Sequence, residues 1–386
     1  MDDLKMKAAA PIPPVGAGGE QPIQKNTDHS IAEDLSENNS LEQVYEERLR
    51  QMRQISDPAY LPTISMRELY ETVYQSKPPV IDGLLYAGTY LFAGAPKVGK
   101  SFLVAQIAYH VSTGTALWNY PVHKGRVLYL ALEDDYQRLQ RRLYRMFETA
   151  DTENLRLAVY AKQLGAGLDE QLQKFVKSNP DTKLIIIDTL QKIRENGGEK
   201  YSYAKDYEVI TQFKKFADQN GICLLLVHHT RKQKADDTFD MISGTNGLLG
   251  AADGAFLLHK EKRTDSTAIL DIVGRDQQDQ RLYLAKDPVR LAWDLERTET
   301  ELWKPPPDPI LEAVTTLIMK NRSWKGTATE LVTALGVDIK PNKLTMKLNV
   351  NAGRLFNESG IKYESCRNHD GRSIQLTFVE KQDSES

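Results

Sequence analysis

The stretch GAPKVGKSFL, residues 94–103, decides the fold of this 386-residue chain. It follows the apolar run TYLFA and matches the pattern G-x-x-x-x-G-K-[ST] through Gly94, Gly99, Lys100 and Ser101. In such a loop the glycines let backbone N–H groups surround phosphate oxygens, the lysine reaches the terminal phosphates and the serine ligates magnesium. The stretch therefore predicts a site for ATP and Mg²⁺ between a strand and a helix. The other loop residues that we expect to line it are Ala95, Pro96, Lys97, Val98 and Phe102. A glycine-rich turn that matches by chance is the alternative.

Two carboxylates follow later apolar runs. Asp188 ends LIIID, where a carboxylate at a strand tip holds magnesium through water. Its alternative role is that of a helix N-cap. Glu133 follows RVLYLAL, and we expect it to orient or deprotonate the water that attacks the γ-phosphate. Compensation of a helix dipole is the alternative for Glu133, and we assign that role to Asp134 and Asp135.

Histidines and an arginine end further apolar runs. His228 and His229 close ICLLLVHH, where one of them is a candidate sensor of the γ-phosphate. Adjacent strand residues point to opposite faces, so the sequence does not choose between them, and a structural histidine is the alternative. Arg275, in VGRDQQDQ, is a candidate arginine finger supplied to a neighbouring subunit, with Arg263 as a weaker candidate. A solvated surface arginine is the alternative for both.

The pattern along the chain predicts an α/β fold with two folded parts. Residues 1–60 read as a disordered tail with a short amphipathic helix, and residues 61–303 alternate apolar β-rich runs with helical runs. That alternation predicts a mostly parallel sheet with helices on both faces, extended by antiparallel strands after Gly254. The proline cluster at 304–309 predicts a linker. Residues 310–381, read as three helices and a hairpin, predict a winged-helix domain.

Composition bounds the class of protein. The formal net charge is −3, which neither supports nor excludes binding to nucleic acid. Only two cysteines occur, and the N-terminus lacks the long apolar segment of a signal peptide. We expect a cytoplasmic protein without a membrane partner.

The motifs GAPKVGKS, LALEDD, LIIIDTL, LLLVHHTRK and SGTNGLLGAADGAFLL together resemble the RecA-like ATPase core of RepA-type hexameric helicases of plasmids and phages, related more distantly to DnaB. The resemblance implies that the phosphate loop is Gly94 to Ser101, the catalytic glutamate Glu133 and the magnesium aspartate Asp188. It places the sensor on His228 or His229 and the inter-subunit arginine on or near Arg275.

Two regions are candidates for contact with DNA. The polar loop after Thr230 carries Arg231, Lys232 and Lys234, which would face single-stranded DNA in the channel of a ring. A mobile solvated loop is the alternative. In the modestly basic C-terminal part the candidate residues, near the expected recognition helix and wing, are Lys343, Lys347, Arg354 and Arg372. Winged helices also bind proteins, so replication partners are the alternative there.

These features predict an oligomeric, DNA-stimulated ATPase, a ring and perhaps a hexamer, that acts as a replicative helicase of a mobile element. The alternative is an ATP-switched DNA-binding regulator or recombination mediator without unwinding activity. A small-molecule phosphotransferase is a third class, and no lid or acceptor pocket in the sequence supports it.

Overall fold

The computed structural model describes residues 57–74, 78–194, 203–230, 239, 242, 247–262, 264–275, 277–299, 306–368 and 371–379. Residues 1–56, which contain the amphipathic helix and most of the predicted tail, lie outside these residues. The chain divides into two units, Met1–Leu69 and Tyr70–Ser386. In the first unit Ser65 and Glu68 form a reciprocal capping box, with side chain to backbone bonds of 2.7 and 3.2 Å. This box begins helix α1, Met66–Glu71.

The second unit contains a nine-stranded sheet in the order β3-β2-β4-β5-β1-β6-β7-β8-β9. Its strands are β1 (Gly88–Gly94), β2 (Arg126–Ala131), β3 (Leu155–Ala158), β4 (Thr182–Asp188), β5 (Cys223–His229), β6 (Gly254–His259), β7 (Thr267–Gly274), β8 (Gln280–Lys286) and β9 (Trp293–Thr298). The strands from β3 to β6 in this order are parallel, and β7, β8 and β9 continue the sheet antiparallel. The predicted α/β core with a mostly parallel sheet is therefore confirmed, as is its antiparallel extension.

Helices cover both faces of this sheet. They are α2 (Lys100–Thr113), α3 (Tyr136–Phe147), α4 (Leu168–Ser178), α5 (Leu190–Ile193), α6 (Tyr203–Asn220) and α7 (Gly247–Ala251). Because side chains alternate along a strand, Phe92 packs with Leu103 of α2 in one apolar cluster, whereas Leu91 packs with Phe213 of α6 in the other. Strands buried on both faces explain the unbroken apolar runs of the sequence.

The parallel registers bring the polar ends of three strands together. Gly94 at the end of β1 pairs with His229 of β5, and Asp188 of β4 pairs with Val227 of β5. Ala131, two residues before Glu133, pairs with Asp188. In open α/β sheets ligands bind outside the carboxyl ends of the strands, so this edge is where a site is expected.

The C-terminal elements form a third apolar cluster around a three-stranded antiparallel sheet in the order β10-β12-β11. They are α8 (Pro309–Asn321), β10 (Ser323–Thr327), α9 (Ala328–Leu335), α10 (Pro341–Val350), α11 (Ala352–Ser359), β11 (Ile361–Asn368) and β12 (Gly371–Phe378). Asp308 accepts hydrogen bonds from the backbone N–H groups of Ile310 and Leu311 at 3.0 and 3.4 Å and so caps α8.

The structure differs here from the reading of three helices and a hairpin. It has four helices, because α10 and α11 are separate and meet at Asn351. It also has a further strand, β10, whose run SWKGT is too short to show a clear period and which pairs with β12. Pro309 is at the start of α8, where the first helical position needs no N–H donor.

No helix within the described ranges combines the length and the apolar character that crossing a membrane requires.

Candidate functional site

The phosphate loop lies between β1 and α2, and its two glycines are required for different reasons. A Cβ at Gly94 would come 2.5 Å from the backbone oxygen of Leu258 in the neighbouring strand β6. Gly99 has a φ of +112°, and a Cβ there would come 2.7 Å from the ring of Trp293. The first glycine therefore permits close packing of the strands, and the second permits a left-handed turn against an aromatic ring.

The remaining loop residues divide into an exposed tip and a buried base. Ala95, Pro96 and Lys97 are exposed, whereas Val98 is buried beneath them. Phe102, in the first turn of α2, has the ammonium group of Lys286 4.0 Å from its ring centroid. The tip of the loop is thus exposed, whereas Val98 and Phe102 pack in or against the apolar cluster on this face of the sheet.

Lys100 lies at the centre of the site and is only 5% exposed. Its Nζ donates to the backbone oxygens of Gly94 and Ala95 at 2.8 and 3.0 Å and to Nδ1 of His229 at 3.0 Å. Burial lowers the pKa of Lys100 to about 8, against the raising influence of Asp188 and Glu133. A buried ammonium group held by neutral acceptors is available to an incoming polyanion.

Asp188 is buried at the end of β4 and is held by hydroxyl groups. Tyr129 donates its hydroxyl hydrogen to Oδ2 of Asp188 at 3.0 Å, and Ser101 also bonds this carboxylate. Burial raises the pKa of Asp188, whereas the hydrogen bonds from Ser101 and Tyr129 lower it. The hydroxyl and the carboxylate are oxygen donors of the kind that Mg²⁺ prefers, so Ser101 and Asp188 fit a magnesium ion. The described residues contain no cluster of three metal-ligating side chains, so the nucleotide or water would complete its shell.

Glu133 follows β2 in a turn and faces the same edge. The hydroxyl of Thr189 donates to Oε1 of Glu133 at 3.3 Å. Asp134 and Asp135 both serve α3, through contacts other than the expected dipole compensation: Asp135 caps the helix by accepting from the N–H of Arg138 at 2.8 Å, and Asp134 pairs with Arg142 at 2.7 Å. Of these three acids, Glu133 is the one whose charge influences the pKa of both Lys100 and Asp188.

The two histidines of β5 lie on opposite faces. His229 contacts Lys100 of the phosphate loop, and burial together with Lys100 lowers its pKa. His228 is 9% exposed and has no hydrogen-bond partner for either ring nitrogen among the described residues. Burial, followed by the influence of Arg194, lowers the pKa of His228 to about 4. The choice that the sequence left open therefore has a geometric answer: His229 is the histidine beside the loop.

Arg275 lies apart from these residues. It follows Gly274, which pairs with Gly254 at the start of β6, whereas the loop residue Gly94 pairs with Leu258. Four residues of strand separate the two positions, which is roughly 13 Å along the sheet. The exposed side chain of Arg275 donates to the backbone oxygen of Gly250 at 3.0 Å. The structure does not bring Arg275 to the nucleotide site of its own chain.

The candidate nucleic-acid residues have mixed outcomes. Arg231, Lys232, Lys234 and Arg263 lie outside the described residues, as does the side chain of Arg372. Lys343 is exposed on α10. Lys347 pairs with Asp308 at 2.7 Å, and Arg354 pairs with Glu358 at 3.0 Å. Part of the positive charge expected for this surface is therefore balanced by nearby acids.

Sequence reasoning missed the residues that support the loop from a distance. Trp293, at the start of the edge strand β9, donates its ring N–H to the backbone oxygen of Gly99 at 3.3 Å. The side chain of Gln106 in α2 bonds both the N–H and the oxygen of Trp293, at 2.8 and 2.9 Å. Thr189 was missed although it directly follows Asp188, and that adjacency was the available signal. Nothing in the sequence pattern links Trp293 to a loop 194 residues away.

Comparisons with known proteins place the chain in a family. A family model described as an AAA domain matches residues 43–235, which is half of the chain. No curated protein matches the sequence. Among solved structures, the chain is similar to one described as an ATPase domain, with 16% identity, a TM-score of 0.45 and coverage of 69% of this chain and 99% of that one. It is similar to a KaiC-like protein from the hyperthermophilic archaeon Pyrococcus horikoshii, with 15% identity, a TM-score of 0.41 and coverage of 58% and 99%. A DnaB-like replicative helicase, solved in a study of its interactions with primase, has 15% identity, a TM-score of 0.47 and coverage of 69% and 75%.

Proposed function

The chain belongs to the AAA domain family, and we propose that it is an oligomeric motor that hydrolyses ATP and unwinds DNA. The observation that carries this proposal is the convergence of Lys100, Glu133 and Asp188 at one edge of the sheet. A phosphate-binding cation, a metal-binding carboxylate and a second carboxylate for water are the parts that phosphoryl transfer requires.

Each residue has a role in the proposed cycle. Lys100 leaves the backbone oxygens that it contacts and binds the terminal phosphates, while Ser101 and Asp188 hold magnesium. Magnesium, when bound, neutralises charge that develops on the phosphate oxygens. Glu133 orients the attacking water and accepts its proton. His229, in contact with Lys100, responds when the γ-phosphate leaves and passes the change to the loop that begins at Thr230.

The position of Arg275 supports an oligomer. The side chain of Arg275 is exposed and lies near the start of β6, at the opposite end of that strand from the nucleotide site. It therefore does not contact the nucleotide site of its own chain and is available to that of a neighbour. We propose that it acts as an arginine finger across a subunit interface in a ring. A ring also gives a channel in which the loop containing Arg231, Lys232 and Lys234 would bind single-stranded DNA.

We also propose that residues 310–381 form a winged-helix module joined to an ATPase core at 61–303 by the segment 304–309. Support comes from the order of its elements, in which helices α8 to α11 precede the hairpin of β11 and β12. Lys343 is the exposed candidate for a phosphate contact on α10. The ion pairs of Lys347 and Arg354 equally suit a module that binds a protein partner.

The proposal is tested by measuring ATP hydrolysis with and without single-stranded DNA, and strand displacement on a forked DNA substrate. We expect DNA to stimulate hydrolysis and the forked substrate to be separated only with ATP. ATP-dependent DNA binding without displacement would favour the alternative, a regulator or recombination mediator, and would overturn the assignment as a helicase. The resemblance to helicases of plasmids and phages supports our proposal that the host process is replication of such an element.

A further inference from the structure

A second pocket opens beside the nucleotide site, at the carboxyl ends of β2 and β3. Its volume is about 520 Å³, and its polar lining consists of Tyr160, Lys162, Gln163 and Lys192. Tyr160 is 76% exposed, and both lysines are exposed as well. No carboxylate occurs among the described residues that line this pocket, which we call the Tyr160 pocket.

We propose that the Tyr160 pocket binds single-stranded nucleic acid and that its occupation activates Glu133; this inference rests on the proposed function. An exposed aromatic ring is a platform on which a base stacks, and two ammonium groups with no carboxylate among the described pocket-lining residues bind the flanking phosphates. The amide of Gln163 adds donors and acceptors for a base edge. This combination suits a flexible strand, whose bases are free to stack, better than a closed duplex.

The pocket is joined to the catalytic edge by short hydrogen-bonded steps. The backbone N–H of Leu132, which lines the pocket and directly precedes Glu133, donates to the oxygen of Asp188 at 2.7 Å. The N–H of Lys192 donates to the oxygen of Thr189 at 3.0 Å. Thr189 in turn holds Oε1 of Glu133. A nucleic-acid strand that moves Lys192 therefore acts on Thr189, and Thr189 restrains Glu133, the candidate general base.

A second connection fixes the opposite wall. The N–H of Leu164, in the loop that carries Lys162 and Gln163, donates to the oxygen of Ile193 at 2.8 Å. Ile193 ends the short helix α5, which begins directly after Thr189. Both walls of the Tyr160 pocket thus meet in α5, and α5 is the element whose small displacement would change the bond between Thr189 and Glu133.

The restraint has a chemical consequence. In the structure Oε1 of Glu133 accepts the hydrogen of the Thr189 hydroxyl at 3.3 Å, which restrains the carboxylate and takes up one of its acceptor sites. Release of this bond frees the carboxylate to accept a proton from water. DNA bound in the Tyr160 pocket would accordingly raise the rate of hydrolysis, with little effect on ATP affinity.

Binding is tested with the full chain and fluorescently labelled oligothymidylate. Tyr160→Ala should weaken the affinity about tenfold, because stacking of one base contributes roughly 1–3 kcal/mol. The double variant Lys162→Gln/Lys192→Gln should reduce the slope of log affinity against log salt by about 1.4, since each contact with a single-strand phosphate contributes about 0.7. Lys177→Gln, an exposed lysine at the far end of α4, is the matched control and should bind as the wild type does.

Coupling is tested by the ratio of DNA-stimulated to basal ATP hydrolysis. Tyr160→Ala and the double lysine variant should keep the basal rate and lose most of the stimulation at a DNA concentration that saturates the wild type. Thr189→Val, which removes the hydroxyl and keeps the shape, should raise the basal rate and lower the ratio towards one while binding of oligothymidylate is retained. A structural role for Thr189 would instead lower both rates together.

The outcomes distinguish failure of the proposed motor function from failure of the Tyr160 pocket or of its coupling to Glu133. A wild-type chain that neither binds oligothymidylate nor responds to it would refute the proposed motor function itself. A wild-type chain that does both, with Tyr160 and lysine variants indistinguishable from Lys177→Gln, would overturn the Tyr160 pocket alone. An unchanged stimulation ratio in Thr189→Val would overturn the coupling to Glu133.

Discussion

The protonation of Lys100 gives a prediction whose size follows from the structure. Burial lowers the pKa of this ammonium group to about 8 in the nucleotide-free chain. The perturbation is a rise in pH from 7 to 9 during binding of a non-hydrolysable ATP analogue with Mg²⁺. Because a triphosphate binds the protonated form, the affinity should be highest below the pKa of Lys100 and decline above it.

The magnitude comes from the fraction of protonated lysine. With a pKa of about 8, roughly nine-tenths of the free sites are protonated at pH 7 and roughly one-tenth at pH 9. If the bound triphosphate keeps the lysine charged, the dissociation constant rises about tenfold between these values, or about 1.4 kcal/mol. His229, whose pKa is lowered, and Tyr129, whose pKa is raised well above its ordinary value, stay neutral over this range.

The assay is titration calorimetry at pH 7, 8 and 9, with Lys100→Arg as the control. A guanidinium group stays protonated throughout, so the variant should show little change with pH even where its affinity is lower. Equal affinities of the wild type at pH 7 and pH 9 would refute the reasoning. So would a tenfold decline that persists in Lys100→Arg, because it would assign the titration to another group.

Three further predictions concern the loop, the buried histidine and the interface. Gly99→Ala places a Cβ 2.7 Å from Trp293 at a φ of +112°, so thermal unfolding should show a loss of about 1–2 kcal/mol together with weaker ATP binding; an unchanged melting temperature would contradict this. The pKa of His228 is lowered to about 4, so the stability from its neutral form is present above about pH 6.5 and is lost as pH falls towards 4. In urea unfolding, the free energy of unfolding should therefore fall on acidification by about 3 kcal/mol less in His228→Leu than in the wild type. Equal falls in the two proteins would show that His228 does not cause the acid-induced loss. Mixing inactive Arg275→Ala and Lys100→Ala subunits should restore part of the ATP hydrolysis, and failure at every ratio would argue against a finger acting between subunits.

Local sequence predicted the nucleotide edge because most of its residues lie at, or just after, the carboxyl end of a strand. Gly94, Asp188 and His229 close apolar runs, and parallel strands bring their carboxyl ends to one edge whatever the loops do. The position of Glu133 followed for the same reason, since β2 pairs directly with β4. The alternation of apolar and helical runs was therefore enough to predict both the core fold and the positions of Glu133 and Asp188.

Contacts between distant segments were not available from the sequence. Trp293 reaches Gly99 because the antiparallel strands carry β9 back over α2, and this depends on the twist and curvature of the whole sheet. The difference between His228 and His229 depends on strand register, and a shift of one residue would exchange their faces. The pairing of β10 with β12 is likewise a long-range event, which five residues do not encode on their own.

The most direct test of the account is the ATP turnover of Glu133→Gln measured beside its ATP affinity. Removal of a general base costs about 10²- to 10⁴-fold in rate, whereas Lys100, Ser101 and the loop remain to bind the nucleotide. The account predicts turnover at least roughly 100-fold below that of the wild type, with an affinity for ATP within a few-fold of it. Turnover near the wild-type rate would contradict the assignment of Glu133 and the mechanism built on it.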